Sequence, residues 1–283
     1  MNVAPDGGAY YLILFILGTL IGSYLNVVSL RFSREEGFRA SRKGRSHCPH
    51  CDKTLKWYEL IPLLSFLIQR GKCRSCPWRI SLQYPIVELL AGLSLVLTPW
   101  QLGWSPLTIL WILAFLLFIL IAAIDLRLGI IPDKLNILVA VLGLLVALLV
   151  YFGSGLDTSF LGSYALLFQL GEGSFWVHRL AGAMFGLVFF GGIYLFTRGK
   201  AMGLGDVKLA GAIGFLLGWP DIALALVLAF FVGSIFAIPL LLMKRKTLKD
   251  ALPFGPFIVA GVTLVFFFGY HIINGYFYLF NFY

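Results

Sequence analysis

Charged side chains are scarce in this chain of 283 residues. They make up 12% of it, whereas hydrophobic residues make up 60%. A soluble protein of this length buries only part of its surface and cannot hide so much apolar area. The composition therefore excludes an ordinary soluble domain and predicts a membrane protein.

Several motifs of soluble enzymes are also missing. The sequence contains no Walker-type phosphate loop and no G-x-G-x-x-G after a predicted strand, so it carries no sign of a soluble nucleotide-binding domain. No set of Ser, His and Asp falls at one predicted membrane depth, which argues against a serine hydrolase. The few polar residues inside or beside the apolar runs are therefore the candidates for function.

Eight mostly apolar runs are long enough to cross a bilayer. A helix of about 20 apolar residues spans the hydrocarbon core. The runs cover residues 8–29, 84–101, 106–125, 130–152, 176–197, 203–219, 222–243 and 253–274. The predicted fold class is an all-α polytopic membrane protein with about eight transmembrane helices.

Lysine and arginine are distributed unevenly between the predicted sides of the membrane. Twelve of the 22 lie between Arg31 and Arg79, and further groups occur at 127–134, 198–208 and 244–249. With eight spans, 21 fall on one side and only Arg179 falls on the other. The positive-inside rule makes the rich side cytoplasmic. The net charge of +9 is then explained by this bias and by attraction to anionic lipid, so no nucleic-acid partner is expected.

All four cysteines lie in the one large predicted cytoplasmic loop. Cys48 and Cys51 form one C-x2-C pair, and Cys73 and Cys76 form another after 21 intervening residues. Two such pairs are typical of a closed tetrahedral zinc site, and a reducing cytosol disfavours structural disulfides. The pattern predicts a small zinc-ribbon-like loop, with a redox pair or four unconnected thiols as the alternatives.

An apolar stretch lies between the two cysteine pairs. Residues 60–68 read LIPLLSFLI and are too few to span a bilayer. They either rest on the bilayer surface or pack beneath the ribbon.

Two aspartates stand at the ends of apolar runs. Asp125 closes the third run, and Asp206 opens the sixth within the tetrapeptide GLGD. A carboxylate at the centre of a membrane helix costs about 2.5 kcal/mol or more on insertion scales, so a retained one indicates function. Taken alone, Asp125 has a simpler interpretation as an interfacial partner of Arg127, and Asp206 as a helix N-cap.

The predicted topology places both aspartates at the cytoplasmic boundary. Two carboxylates held close together do not both ionise easily and share a proton. One then acts as general base on a water molecule while the other donates to the scissile carbonyl, without a covalent intermediate or a catalytic metal. Further along the same run, Ala210, Gly214 and Gly218 repeat at four-residue spacing, which favours tight helix packing in lipid.

Several ordered motifs together resemble the type IV prepilin peptidases, the GxGD-type leader peptidase/N-methyltransferases. The resemblance covers nearly the whole chain, through GSYLNVV (22–28), SHCPHC (46–51), WYELIP (57–62), ISLQYPIVEL (80–89), Asp125 with IPD (131–133), GLGD (203–206) and PFGP (253–256).

The resemblance implies a substrate, a reaction and a set of residues. Such enzymes remove the short basic leader of type IV prepilins and type II secretion pseudopilins on the cytoplasmic side of the bacterial inner membrane. They then methylate the new N-terminus with S-adenosylmethionine. Carried over by motif, Asp125 and Asp206 are catalytic, the four cysteines are metal ligands, and Gly71 with Lys72 lies in the segment implicated in methylation. Glu88 is a further polar candidate with no assigned role.

These interpretations divide the chain into three parts. They are a first transmembrane helix (1–30), a cytoplasmic cysteine loop (31–83) and a transmembrane catalytic domain (84–283). The competing hypothesis is a non-enzymatic transporter or assembly scaffold that uses the loop for docking. A transporter is expected to show inverted repeats and polar groups near the bilayer midplane, and no clear repeat is visible.

Overall fold

The computed structural model describes residues 8–38, 44, 46–153, 159–168, 175–200, 202–243 and 252–279. The described part is built from helices, which confirms the all-α prediction. The helices are α1 (Gly8–Arg31), α2 (Leu64–Ile68), α3 (Gln83–Leu102), α4 (Pro106–Leu128), α5 (Asp133–Phe152), α6 (Phe175–Thr197), α7 (Leu204–Leu217), α8 (Asp221–Leu242) and α9 (Gly255–Leu279). Short 3₁₀ turns occur at Trp57–Glu59 and Gly162–Phe168. The basic cluster at 244–249 lies outside the described residues.

Seven described helices are long and apolar enough to cross a membrane, namely α1, α3, α4, α5, α6, α8 and α9. The sixth predicted run, 203–219, forms α7, which has only 14 residues. At 1.5 Å per residue α7 is about 21 Å long, against about 30 Å for the hydrocarbon core. Gly203 precedes it in an extended conformation, and Gly218 ends it with φ +84°. α7 is therefore a short core helix rather than a full span.

The chain forms two compact units, Met1–Ile124 and Asp125–Tyr283. In the first unit, α1 packs closely on α3 because Gly18 and Gly22 leave room for the backbone at Ala91 and Glu88. Val87 and Ala91 of α3 form a buried cluster with Ile119 and Ala123 of α4.

In the second unit, α7 packs between α5 and α6, and α8 packs on α9. Gly182 of α6 lies against Gly214 of α7, and Gly186 lies against Ala210. The predicted packing stripe thus meets glycines of the neighbouring helix. Because the start of α6 meets the end of α7, the two helices run antiparallel.

Candidate active site

Asp206 lies in the first turn of α7. Its Oδ2 accepts a hydrogen bond of 3.1 Å from the backbone amide of Gly203, which precedes the helix. This is the reciprocal half of a capping box, in which an acidic residue at the third helical position reaches back to the N-cap amide. The sequence allowed Asp206 as the helix N-cap, but the N-cap is Gly203, and Asp206 reaches back to it from the third helical position through one oxygen only. The other oxygen, Oδ1, is buried and has no hydrogen-bond partner among the described residues.

Asp125 lies near the end of α4 and is 3% exposed. Its Oδ2 accepts a hydrogen bond of 2.9 Å from the backbone amide of Gly255, the first residue of α9. The amides of a first helical turn lack partners within the helix and attract negative charge. The carboxylate of Asp125, near the end of α4, is therefore bound by the first amide of α9.

The structure brings the two aspartates together in the second unit, near enough for the charge of Asp206 to act on Asp125. Ile131 lies between the segments that carry them. A Cβ atom added at Gly205 would lie 3.1 Å from Cβ of Ile131, and one added at Gly255 would lie 3.2 Å from its Cδ1. The absence of side chains at Gly205 and Gly255 thus makes room for Ile131 beside the two aspartates.

Polar contacts join α5 to the start of α7. Nδ2 of Asn136 donates a hydrogen bond of 3.4 Å to the carbonyl of Gly205. At the surface, Nζ of Lys208 lies 2.8 Å from Oδ1 of Asp133, whose side chain is 64% exposed. An exposed ion pair of this kind contributes about 0–1 kcal/mol to folding stability, so it adds little to the stability of the site.

The opposite end of α7 is held by Arg179, the cation that the predicted topology placed apart from the others. Arg179 is buried, and its guanidinium donates to the carbonyls of Phe215 and Leu216 in the last turn of α7. A cation at this position satisfies open carbonyls and complements the helix dipole. Nearby Asp221 feels the charge of Arg179 and accepts a hydrogen bond of 3.1 Å from Ser159. Arg179, the one cation predicted on the other side of the membrane, thus serves to bind the end of α7.

The four cysteines converge in the first unit. Their Sγ atoms all lie within 4.8 Å of one another, and those of Cys48 and Cys76 are 3.9 Å apart. Four thiolates around zinc at about 2.3 Å lie about 3.8 Å apart in a tetrahedron. Each pair sits in a tight turn, closed by the hydrogen bonds from the Cys48 amide to Lys53 and from the Cys73 amide to Trp78. The residues present therefore fit a tetrahedral metal ion.

The thiols influence one another's ionisation. The pKa of Cys48 is lowered to about 7, chiefly by a hydrogen bond from the backbone of Cys51. The pKa of Cys76 is raised to about 12, since the backbone of Trp78, which acts to lower it, is outweighed by desolvation and the other three thiols. Four neighbouring thiolates repel one another, and a cation between them relieves that repulsion.

Gly71 and Lys72 lie in the turn that leads to Cys73. Gly71 has φ +66°, and a Cβ atom there would lie 3.1 Å from the ring of Phe66. Its carbonyl accepts a hydrogen bond of 2.8 Å from the amide of Ile80. The backbones of Lys72 and Arg79 form an isolated antiparallel β-bridge. These contacts explain a glycine at this turn by conformation and space.

Sequence reasoning missed how Gly255, Ile131 and Arg179 support the pair. Gly255 lies within the PFGP motif, so a signal for its position was present, although its contact with Asp125 was not evident. Chemically, two close carboxylates, one with a buried oxygen that has no hydrogen-bond partner among the described residues, form an arrangement suited to activating water.

Comparisons with known proteins place the chain in a family. Residues 16–102 match the bacterial peptidase A24 N-terminal domain, and residues 111–238 match the type IV leader peptidase family. The prepilin leader peptidase/N-methyltransferase of Bacillus subtilis (strain 168) is 33% identical over 275 residues, covering 93% of this chain and 96% of the relative.

Two further relatives carry the same name. That of Aeromonas salmonicida (strain A449) is 32% identical over 287 residues, which cover 89% of each chain. That of Legionella pneumophila is 30% identical over 287 residues, which cover 94% of each chain. No solved structure matches the chain. With both domain matches in sequence order and relatives aligned over nearly their full length, the chain belongs to the type IV leader peptidase family.

Proposed function

We propose that this protein cleaves the leader from type IV prepilins and pseudopilins and then methylates the new N-terminus, with Asp125 and Asp206 as the catalytic carboxylates. The family membership and the names of the relatives support the reaction. The observation that most supports the residue assignment is the buried Oδ1 of Asp206, which has no described hydrogen-bond partner and lies near a second buried carboxylate.

Cleavage in this proposal uses one water and one shared proton. One carboxylate takes a proton from the water as its oxygen attacks the scissile carbonyl carbon, while the other donates a proton to the carbonyl oxygen. The tetrahedral intermediate then collapses. Its carbon–nitrogen bond breaks as the leaving amine takes the proton that the first carboxylate had removed from water, and a hydroxyl of the intermediate returns a proton to the second carboxylate. Gly203 and Gly255 each donate an amide hydrogen to one oxygen of the pair, which orients the remaining oxygens towards the substrate.

The protein is a multi-pass inner-membrane protein. Within this proposal the catalytic face is cytoplasmic, in agreement with the concentration of lysine and arginine on one predicted side. A prepilin carries an apolar helix and a basic leader, so its cut site would lie at the same boundary as the aspartates. In this proposal residues 1–30 form an anchor helix, residues 31–83 form a metal-binding loop, and residues 84–283 form a catalytic domain that contacts lipid.

Two cofactors complete the proposal. Cys48, Cys51, Cys73 and Cys76 would hold a structural zinc ion, since their sulfur separations fit a tetrahedral site. S-adenosylmethionine would supply the methyl group to the amine that cleavage exposes. Gly71 and Lys72 are the proposed contacts for this donor because they adjoin Cys73 in the segment that the family resemblance implicates.

The comparisons do not favour the alternative of a non-enzymatic transporter or docking scaffold, because the relatives carry enzyme names over nearly their full length. Incubation of the purified protein with a prepilin and S-adenosylmethionine, followed by mass spectrometry of the pilin, tests the proposal. A shortened pilin carrying one added methyl group is expected. A shortened, unmethylated product would reject the second activity, and an intact prepilin would reject both.

A further inference from the structure

The loop between α1 and α3 exposes an unusually apolar surface. Six large apolar side chains within residues 57–68 are exposed, namely Trp57, Leu60, Ile61, Leu64, Leu67 and Ile68. Trp57 is 77% exposed, and Leu67 and Ile68 are each 68% exposed. A contiguous exposed apolar patch on a loop usually marks an interaction site. We call this set the apolar loop face.

The only charged side chain of the same segment is buried, together with one of its apolar residues. The carboxylate of Glu59 is buried and accepts a hydrogen bond of 2.8 Å from the amide of Lys56. Pro62 is buried, and Phe66 turns inward against Gly71. The segment thus directs its aliphatic side chains outward and its charged group inward, the reverse of a loop surrounded by water.

A hydrogen bond to Glu88 ties this segment to α3. Its Oε2 accepts a hydrogen bond of 2.8 Å from the backbone amide of Leu63. Glu88 lies five residues after Gln83, the first residue of α3, which is about 7.5 Å along the helix axis. α3 has 20 residues, about the number that crosses the hydrocarbon core, so an α3 that spans the bilayer places Leu63 near one membrane boundary.

Apolar side chains close to Glu88 in the sequence of α3 are also exposed. Ile86, Leu89 and Leu90 flank Glu88 along the helix and are exposed on a helix long enough to span the bilayer. The loop that contains the apolar face also carries twelve basic and only four acidic residues between Arg31 and Arg79. Anionic lipid headgroups attract such a loop, and tryptophan favours the interface between headgroups and acyl chains.

We propose that the apolar loop face is a membrane-inserted surface, which seats residues 57–68 in the headgroup and upper acyl region of the bilayer that the protein crosses. The bound partner is lipid, through acyl chains at the aliphatic side chains and headgroups at the surrounding cations. The sequence left two places open for the apolar stretch, on the bilayer or beneath the ribbon. The tether to Glu88 and the outward side chains favour the bilayer. The cysteine cluster is thereby held close to the membrane surface through the turn at Gly71.

Trp57 provides a direct probe of this surface, and Trp78 provides the matched control. Trp78 belongs to the same loop and is half exposed, but it stacks on His50 beside the thiols, with ring centroids 4.8 Å apart. The full-length protein, Trp57→Phe and Trp78→Phe are each reconstituted into phosphatidylcholine vesicles, with and without acyl chains brominated near their upper end. Subtracting each variant's emission from that of the unmodified protein isolates the contribution of one tryptophan.

The Trp57 contribution should be lost in brominated vesicles and resist quenching by aqueous iodide. The Trp78 contribution should show the opposite response. Quenching of Trp57 by iodide without an effect of bromine would overturn the proposal, as would equal responses of the two tryptophans. Protection of Trp57 from both quenchers would assign the face to protein, either a second copy or a bound prepilin, and would also overturn it.

Discussion

The backbone amide of Gly255 and the carboxylate of Asp125 are joined by a hydrogen bond of 2.9 Å across 130 residues of sequence. The contact depends on the absence of a side chain at residue 255. A Cβ atom built there would lie only 2.7 Å from Oδ2 of Asp125 and 3.3 Å from its Cγ. The beginning of α9 is therefore part of the setting of the proposed catalytic pair.

Replacing Gly255 with alanine should displace the Asp125 carboxylate. A shift of about 1 Å in a catalytic group can cost about 10²-fold in rate, so prepilin cleavage should fall on that scale. Initial cleavage rates of Gly255→Ala in detergent or vesicles, at equal amounts of inserted protein, provide the measurement.

The matched control for this prediction is Gly275→Ala in the same helix. An added Cβ at residue 275 has no heavy atom within 4 Å, so cleavage should be unchanged. Equal rates for the two variants would show that the Gly255 contact does not position Asp125.

Close packing of α6 on α7 should depend on Gly186. A Cβ atom there would collide with the backbone carbonyl of Ala210, which cannot move without shifting α7. Overpacking of this kind costs about 1–3 kcal/mol, so Gly186→Ala should lower the midpoint of thermal unfolding. Gly192→Ala, six residues later in the same helix, meets nothing within 4 Å and should leave the midpoint unchanged or raise it slightly. A Gly186→Ala variant as stable as Gly192→Ala would contradict the described packing.

The cysteine cluster should bind one zinc ion per chain, measured by elemental analysis of the purified protein. Cys73→Ser should reduce the zinc content, whereas Ser75→Ala, in the same turn but without a thiol, should retain it. Because protons compete with the metal for thiolates, zinc should dissociate more readily as the pH falls. Full zinc occupancy in Cys73→Ser, or none in the unmodified protein, would reject these four ligands.

Local sequence patterns predicted much of this architecture. The cysteine spacing anticipated a cluster because two C-x2-C turns present their sulfurs within a few residues, and the four thiols do converge. The small residues at 210 and 214 anticipated a tight helix contact, since their four-residue spacing puts them on one helix face. Both features depend on short stretches of chain whose geometry is nearly independent of the rest.

Other features depended on contacts that no local pattern encodes. The sixth apolar run resembled a transmembrane span because burial inside protein and burial in lipid select the same residues, yet α7 is a short helix packed between α5 and α6. The sequence placed Arg179 apart from the other cations and did not indicate that its side chain binds the carbonyls at the end of α7. The hydrogen bond from the Gly255 amide to the Asp125 carboxylate likewise joins two motifs far apart in sequence.

The most direct test of the account compares prepilin cleavage rates of Asp125→Asn, Asp206→Asn, the double variant and Glu35→Gln. The first three keep the size of each side chain and remove only its ability to ionise, while Glu35 is an exposed carboxylate of the first unit, outside the proposed catalytic pair. Each single buried variant should lose about 10²-fold or more in rate, and the double variant should lose little more, because residues that act as a unit are not additive. Glu35→Gln should retain cleavage. Retained cleavage in either buried variant, or losses that simply multiply in the double variant, would contradict a shared catalytic pair.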